Sequence, residues 1–162
     1  MLTRIAIVTG MVNKVMGHLV SERDFVDSVA AYCAEKGARF TDSRREVALI
    51  IARSEKPIGA YDILEQLGKI LVNPKPPTVY RAIDFLLENH FIHKIESMNA
   101  FIACRTDHRH SGSQFMICNE CGKVIETHLC SLPSALKDAA EKKSFTPLTW
   151  SVEVRGLCSD CS

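Results

Sequence analysis

The sequence has few of the features that most enzymes and membrane proteins show. Its 20 Lys and Arg against 19 Asp and Glu leave a net charge of +1, which excludes a uniformly basic coat but allows a local basic face. It has no apolar run of transmembrane length. A P-loop, a nucleophile elbow, a zinc-protease helix and a dinucleotide-binding glycine pattern are also absent. We therefore expect neither an enzyme nor a membrane protein.

Cysteine, in contrast, is abundant, with 7 in 162 residues, and the odd number argues against a fully paired disulfide framework. Four of them form two C-x-x-C pairs, Cys118 with Cys121 and Cys158 with Cys161. This spacing lets both thiolates of a tight turn face one cation, so the pairs together predict a closed, structural, tetrahedral zinc site. Core cysteines or a redox pair are the alternatives, although no βαβ pattern surrounds either pair. Such a metal site is typical of a reducing compartment, so we expect a cytoplasmic protein.

The first two thirds of the chain predict a winged helix-turn-helix. Apolar residues at helical spacing, with capping and stop signals, indicate four helices, at about residues 21–37, 41–54, 60–71 and 78–89. Two strand-like runs at 91–96 and 100–104 then form a hairpin through the turn at 97–99. The second to fourth helices and this hairpin are the elements of that fold.

The rest of the chain predicts a second, smaller unit. A strand at 114–117, a hairpin at Cys121 and Gly122, a helix at 132–143 and an alternating strand at 148–155 follow a polar linker. The expected fold is therefore α+β. Its predicted parts are an N-terminal arm, a winged-helix domain, a hinge and a small α/β domain with a structural zinc site, at residues 1–20, 21–105, 106–113 and 114–162.

The fourth predicted helix is the candidate nucleic-acid reader. Thr78, Tyr80 and Arg81 cluster near its start, with Lys75 just upstream, and recognition helices use their N-terminal residues in the major groove. An arginine can bind guanine O6 and N7 together, and Tyr61 can hydrogen-bond to a phosphate. An ordinary amphipathic helix with an exposed arginine would show the same pattern.

A second group of metal-binding residue types falls on the predicted hairpin, in the hinge and beyond the first cysteine pair: His93, Cys104, His108, His110, Glu126 and His128. Each has an ordinary structural explanation by itself, but His93 and Cys104 can face one another across the hairpin. One thiolate, two imidazoles and a carboxylate suit zinc, whereas iron and manganese sites more often lack the soft sulfur.

Several motifs make the sequence resemble the ferric uptake regulator family of metal-dependent repressors, and within it most closely the zinc-uptake branch. The resemblance covers residues 24–161, and its most specific segments are TDSRR at 41–45, AYDIL at 60–64, KPPTVYRA at 75–82, FLLE at 85–88, FIHKIES at 91–97 and CNECGK at 118–123. It implies a homodimer with a winged-helix DNA-binding domain and a C-terminal dimerisation domain. It further implies that the zinc on the four cysteines is structural, and that a regulatory metal at the hinge sets the two DNA-binding domains for an AT-rich palindromic operator.

Carried over by position, the resemblance implies that the regulatory metal site comprises His93, Cys104, His110 and Glu126, with His108 as the alternative to His110. It also leaves room for a third metal site, because the two hinge histidines with Glu126 resemble part of one in iron- and peroxide-sensing members. The expected function is a zinc-responsive repressor of zinc-uptake genes. An iron-, manganese- or peroxide-sensing regulator of the same family is the first alternative, and a zinc-ribbon interaction module or redox enzyme is the second.

Overall fold

The computed structural model describes residues 21–105, 112–127 and 131–162. Over these ranges the chain is α+β, as the sequence predicts, with five α-helices, one 3₁₀ turn and two three-stranded sheets. The helices are α1 Glu22–Lys36, α2 Asp42–Arg53, α3 Ala60–Gly68, α4 Pro76–Glu88 and α5 Ser134–Lys142. The strands are β1 Ile58–Gly59, β2 Ile92–Ile95, β3 Ala100–Ala103, β4 Gly112–Cys118, β5 Val124–Thr127 and β6 Trp150–Gly156. No helix within these three ranges is long and apolar enough to cross a membrane.

Helix α1 forms as its sequence signals predict. The Ser21 hydroxyl accepts a hydrogen bond from the Asp24 N–H at 3.1 Å, and the Asp24 carboxylate accepts one from the Ser21 N–H at 3.2 Å. This reciprocal capping box satisfies two backbone donors that the helix itself leaves unpaired. Gly37 ends the helix with φ at +65°, a left-handed conformation that glycine adopts without a Cβ penalty.

Helices α2, α3 and α4 form the predicted helix-turn-helix, with two shifted boundaries. Helix α3 ends at Gly68 rather than near residue 71, because glycine is a poor helix former. Helix α4 begins at Pro76, two residues before the predicted start at Thr78. Proline fits there because the first turn of a helix needs no backbone N–H donor.

The wing is a sheet of three strands in the order β1-β3-β2. The predicted hairpin is present, and a 3₁₀ turn at Glu96–Met98 followed by Asn99 in the left-handed region (φ 46°) connects its strands. Strand β1 was not predicted, since its two residues are too few to show a pattern. It pairs with β3 and places Ile58 opposite Phe101.

The helices and the wing enclose one apolar core. The predicted inward faces of α1, α2 and α4 are buried, including Val29, Ile51, Ile83 and Leu86, each at most 1% exposed. Ile92 of β2 belongs to the same cluster. This core fixes the position of α4 relative to the wing.

The C-terminal sheet has the order β5-β4-β6, with β4 antiparallel to β5 and parallel to β6. Strand β4 begins at Gly112, so the last two residues of the predicted hinge, 106–113, belong to this strand. The earlier start reflects the pairing of Gly112 and Ser113 with Trp150 and Ser151 of β6. Glycine is needed at the first position, because a Cβ at residue 112 would overlap the tryptophan ring. Residues 106–111 and the predicted arm, 1–20, lie outside the described residues.

A second, smaller core joins the two sheets. Ile95 of the wing is buried together with Phe115 and Ile117 of β4, and Ile102 and Val124 pack against them. The wing therefore lies against one face of the C-terminal sheet.

Candidate metal centres and nucleic-acid interface

The two C-x-x-C segments come together at one end of the C-terminal sheet. The Sγ atoms of Cys118, Cys121, Cys158 and Cys161 all lie within 4.8 Å of one another. Cys118 is the last residue of β4 and Cys121 lies in the tight turn before β5, where the Gly122 N–H donates to the Cys118 carbonyl at 3.1 Å. The second pair follows β6, and the Cys161 N–H donates to the Cys158 carbonyl at 3.0 Å. The structure thus brings together all four cysteines that the spacing singles out.

The electrostatics of this cluster suit a divalent cation. Backbone N–H groups of Cys121 and Cys158 lower the pKa of Cys118 to about 6, whereas hydrogen bonds with neighbouring thiols, first that of Cys158, raise the pKa of Cys161 to about 12. The Cys118 thiol therefore loses its proton more readily than the Cys161 thiol, and zinc binding requires both to be thiolates. Four converging sulfurs are the donor set of a closed zinc site.

The second group lies where the wing meets the C-terminal sheet. His93 belongs to β2, Cys104 directly follows β3, and Glu126 belongs to β5. Their ligand atoms all lie within 4.8 Å of one another, and His93 Nε2 is 3.0 Å from Glu126 Oε1. The side chains of His93 and Glu126 are 12% and 13% exposed. The structure therefore brings together three of the four residues assigned to the regulatory site. His110, its alternative His108, and His128 lie outside the described residues.

This group favours a positive charge. Burial by itself lowers the pKa of His93, but its hydrogen bonds to Cys104 and Glu126 outweigh burial and raise that pKa to about 9. Phe115, which the sequence analysis did not single out, forms one wall of the site, with its ring centroid 5.4 Å from that of His93. One imidazole, one thiolate and one carboxylate in this enclosed position fit a zinc ion.

The candidate nucleic-acid residues are carried by α3 and α4 and by the residue just before α4. Tyr61 at the start of α3 is 80% exposed, and Tyr80 on α4 is 45% exposed. Arg81 and Lys75 are also exposed, and Thr78 is half-buried. The residues of α4 that are buried in the core are Val79, Ala82, Ile83 and Leu86. Four of the five predicted residues are therefore exposed and accessible to a nucleic acid, and Thr78 is partly accessible.

Sequence and structure comparisons agree with these features. The model of the ferric uptake regulator family matches residues 35–155. The zinc uptake regulation protein of Escherichia coli K12 is 38% identical over 130 residues, which cover 80% of this chain and 76% of that protein.

Among solved structures, a zinc uptake regulator in complex with zinc and DNA superposes with a TM-score of 0.79 and 34% identity, covering 86% of this chain and 93% of that one. Holo XcZur superposes with a TM-score of 0.74 and 39% identity over 84% and 95% of the two chains. Apo XcZur gives 0.50 and 38% over 87% and 97%. Because the family model spans about three quarters of the sequence and a relative above 30% identity covers most of it, the chain belongs to the ferric uptake regulator family.

Proposed function

We propose that this protein is a zinc-responsive transcriptional repressor, not an enzyme, that binds a palindromic operator as a zinc-loaded homodimer and controls zinc-uptake genes. The observation that carries the proposal is the group of His93, Cys104 and Glu126, because its ligand atoms come from the wing and from the C-terminal sheet and still lie within 4.8 Å of one another. We place the protein in the cytoplasm, where its operator is and where cysteines stay reduced.

Metal binding can control DNA binding because it connects two parts of the molecule. His93 and Cys104 are carried by the wing, and Glu126 is carried by β5. Zinc, when bound, would supply one positive centre shared by all three side chains. They can reach a common ion only when the wing packs on the sheet, so metal binding favours that arrangement over others. The better superposition on holo than on apo XcZur supports this interpretation.

Cys104 is the reason to propose zinc rather than iron or manganese. A thiolate combined with imidazole suits zinc, whereas manganese sites are built mainly from carboxylates and carbonyls. We assign His110 as the fourth ligand by position. The four-cysteine cluster is assigned a structural zinc, since its four sulfurs leave no coordination position open for exchange.

We assign operator contacts to the exposed side of the helix-turn-helix. Arg81 is the candidate for a bidentate contact with guanine, and Thr78 and Tyr80 lie beside it at the start of α4. Lys75 and Tyr61 are candidates for phosphate contacts that set the orientation of the domain.

An exposed apolar row supports the homodimer. Met116 of β4 pairs in register with Ile125 of β5 and Val154 of β6, and these residues are 45%, 43% and 48% exposed. They lie on the face opposite Phe115, since successive residues of a strand alternate. Leu157, which follows β6 and is 56% exposed, lines the same shallow cavity as these three residues. A second copy that covers this row buries it from water.

Zinc titration of operator binding tests the proposal, with Cys104→Ser as the diagnostic variant. Replacing a thiolate by a hydroxyl removes the strongest zinc donor of the site, so we expect the variant to purify as a folded dimer with about one zinc fewer per subunit. It should need at least about a hundredfold more free zinc for half-maximal operator binding. Cys33→Ala, which removes a core thiol 1% exposed, is the matched control and should respond like the wild type.

Three outcomes contradict parts of the proposal. Unchanged zinc dependence in Cys104→Ser would remove this residue from the regulatory site. Loss of the dimer in the same variant would make its role structural. Operator binding that follows iron or manganese at concentrations where zinc has no effect would favour the alternative sensors.

A further inference from the structure

The C-terminal sheet presents two carboxylates to the wing, and the proposed regulatory site uses one of them. Phe115 of β4 pairs with Glu126 on one side and with Glu153 on the other. Residues opposite one another in register point to the same face of a sheet. Glu126 and Glu153 therefore flank Phe115 on the face that packs against the wing.

Glu153 binds the backbone of the wing directly. One oxygen of its carboxylate accepts a hydrogen bond from the Glu96 N–H at 2.7 Å, and the other accepts one from the Ser97 N–H at 3.3 Å. Arg155, two residues along β6, donates to the Ser97 hydroxyl at 2.9 Å. We call these three hydrogen bonds the β6–wing contact. It connects residues that are 56 to 58 positions apart in the sequence.

The β6–wing contact and the candidate regulatory site involve adjacent parts of the wing, strand β2 and the turn that follows it. His93 lies in β2, and Glu96 begins the turn that directly follows this strand. Glu126 meets the wing at His93, and Glu153 meets it three residues further along. Any movement of the wing away from the sheet that separates His93 from Glu126 therefore also lengthens the bonds of Glu153 to the turn.

We propose that Glu153, supported by Arg155, is a positioning residue that couples zinc binding to the DNA-competent arrangement. This inference rests on the proposed function above. The carboxylate binds no metal and no DNA. It adds to the stability of the packed arrangement and nothing to an arrangement in which the wing is released. Less zinc is then needed to reach the same population of the DNA-binding form, because the metal has a smaller free-energy gap to overcome.

The first test measures operator binding against free zinc for the full-length wild-type protein and for Glu153→Ala. Charge-assisted hydrogen bonds are the stronger ones, so we expect the zinc concentration at half-maximal binding to rise roughly tenfold, which corresponds to about 1.4 kcal/mol. Operator affinity at saturating zinc, the zinc content and the dimer should not change. Glu153→Gln keeps one neutral acceptor and should lie between the two.

Two further variants keep this test specific. Glu141→Ala removes an exposed carboxylate from α5 that pairs with Lys137 at 3.9 Å. It makes the same change in net charge without touching the wing and should respond to zinc like the wild type. Ser97→Ala removes the hydroxyl that Arg155 binds. It should raise the zinc requirement in the same direction by about threefold, which provides a second measurement if Glu153→Ala does not fold.

The second test follows hydrogen exchange at the amides of Glu96 and Ser97 by NMR. We expect zinc to slow their exchange in the wild type and to have much less effect in Glu153→Ala and in Cys104→Ser. Exchange that is equally slow with and without zinc would show that the β6–wing contact does not depend on zinc, and it would overturn the proposal. An unchanged zinc midpoint in Glu153→Ala beside a zinc-responsive wild type would also overturn it. If the wild type binds its operator regardless of zinc, the proposed function is wrong, and the exchange rates still decide whether zinc closes the β6–wing contact.

Discussion

The winged-helix half and the C-terminal half are stabilised in different ways. In the first, 19 residues form one buried apolar cluster. In the second, the buried members among the described residues from 112 onward are Gly112, Phe115, Ile117 and Cys118, and helix α5 buries none of its residues. A small unit with so little core needs cohesion from another source. The four-cysteine cluster is the source that the structure offers, and the proposed homodimer would be a second one.

Among tests of the different stabilisation of the two halves, Cys158→Ser should have the largest effect. An incomplete four-sulfur site should lose its zinc, and the C-terminal half should then unfold and release the dimer, because binding of a structural metal is part of the folding free energy. The winged-helix half should keep its helical signal. Sedimentation, zinc content and far-ultraviolet circular dichroism measure the three effects. A zinc-loaded dimer of Cys158→Ser would show that the C-terminal half does not depend on this cluster.

The converse test is Leu86→Ala in α4. This side chain is 0% exposed in the winged-helix core, so its truncation should lower the free energy of unfolding by about 2–5 kcal/mol. Denaturant unfolding measures the loss. The zinc content of the four-cysteine cluster should not change, and a loss of that zinc would mean that the two halves fold as one unit.

Substitutions of the candidate nucleic-acid residues should have a smaller effect, on DNA binding alone. They should leave the winged-helix core and the zinc-stabilised C-terminal half unchanged. Arg81→Ala should weaken operator binding by about 1–3 kcal/mol and reduce its selectivity, with dimer and zinc unchanged. Tyr61→Phe is the companion variant and should weaken specific and non-specific DNA about equally. Fluorescence anisotropy with operator and scrambled duplexes distinguishes them. Wild-type operator affinity in Arg81→Ala would end the assignment of α4 as the reading helix.

The smallest effect concerns the capping box at the start of α1. The hydrogen bond from the Ser21 side chain lowers the pKa of Asp24 below its usual value, so its stabilising effect is present above about pH 4 and is lost as the pH falls through the lowered pKa. Asp24→Asn should therefore melt slightly below the wild type at pH 7, and the difference should shrink as the pH falls through the lowered pKa of Asp24. A difference that persists in acid would mean that the charge of Asp24 is not responsible.

Local patterns in the sequence predicted most of the winged-helix half. Helical spacing and capping signals identify α1, α2 and α4 because both are set within about a turn of the residues concerned. The C-x-x-C turns are equally local. Strand β1 could not be predicted, since a two-residue strand exists through its pairing with β3, more than 40 positions away.

The candidate regulatory site was predicted less completely. The residue types placed Glu126 in the same candidate group as His93 and Cys104, and the hairpin explained why the last two face one another. The choice of one four-ligand set from that group came from the resemblance to a family. The wall formed by Phe115 depends on the packing of the wing against β4, and the contact made by Glu153 depends on the parallel pairing of β4 with β6. No periodicity within either strand encodes which neighbour it will pair with.

The overlap that a Cβ at residue 112 would have with Trp150 has a practical consequence. Trp150 is the single tryptophan of the sequence, and it lies over the first residue of β4, where the segment from the winged helix enters the C-terminal sheet. Its indole emission therefore reads out the state of this junction in the unlabelled protein. A zinc titration of this emission is expected to show whether metal loading changes the junction, without an added dye or an engineered cysteine.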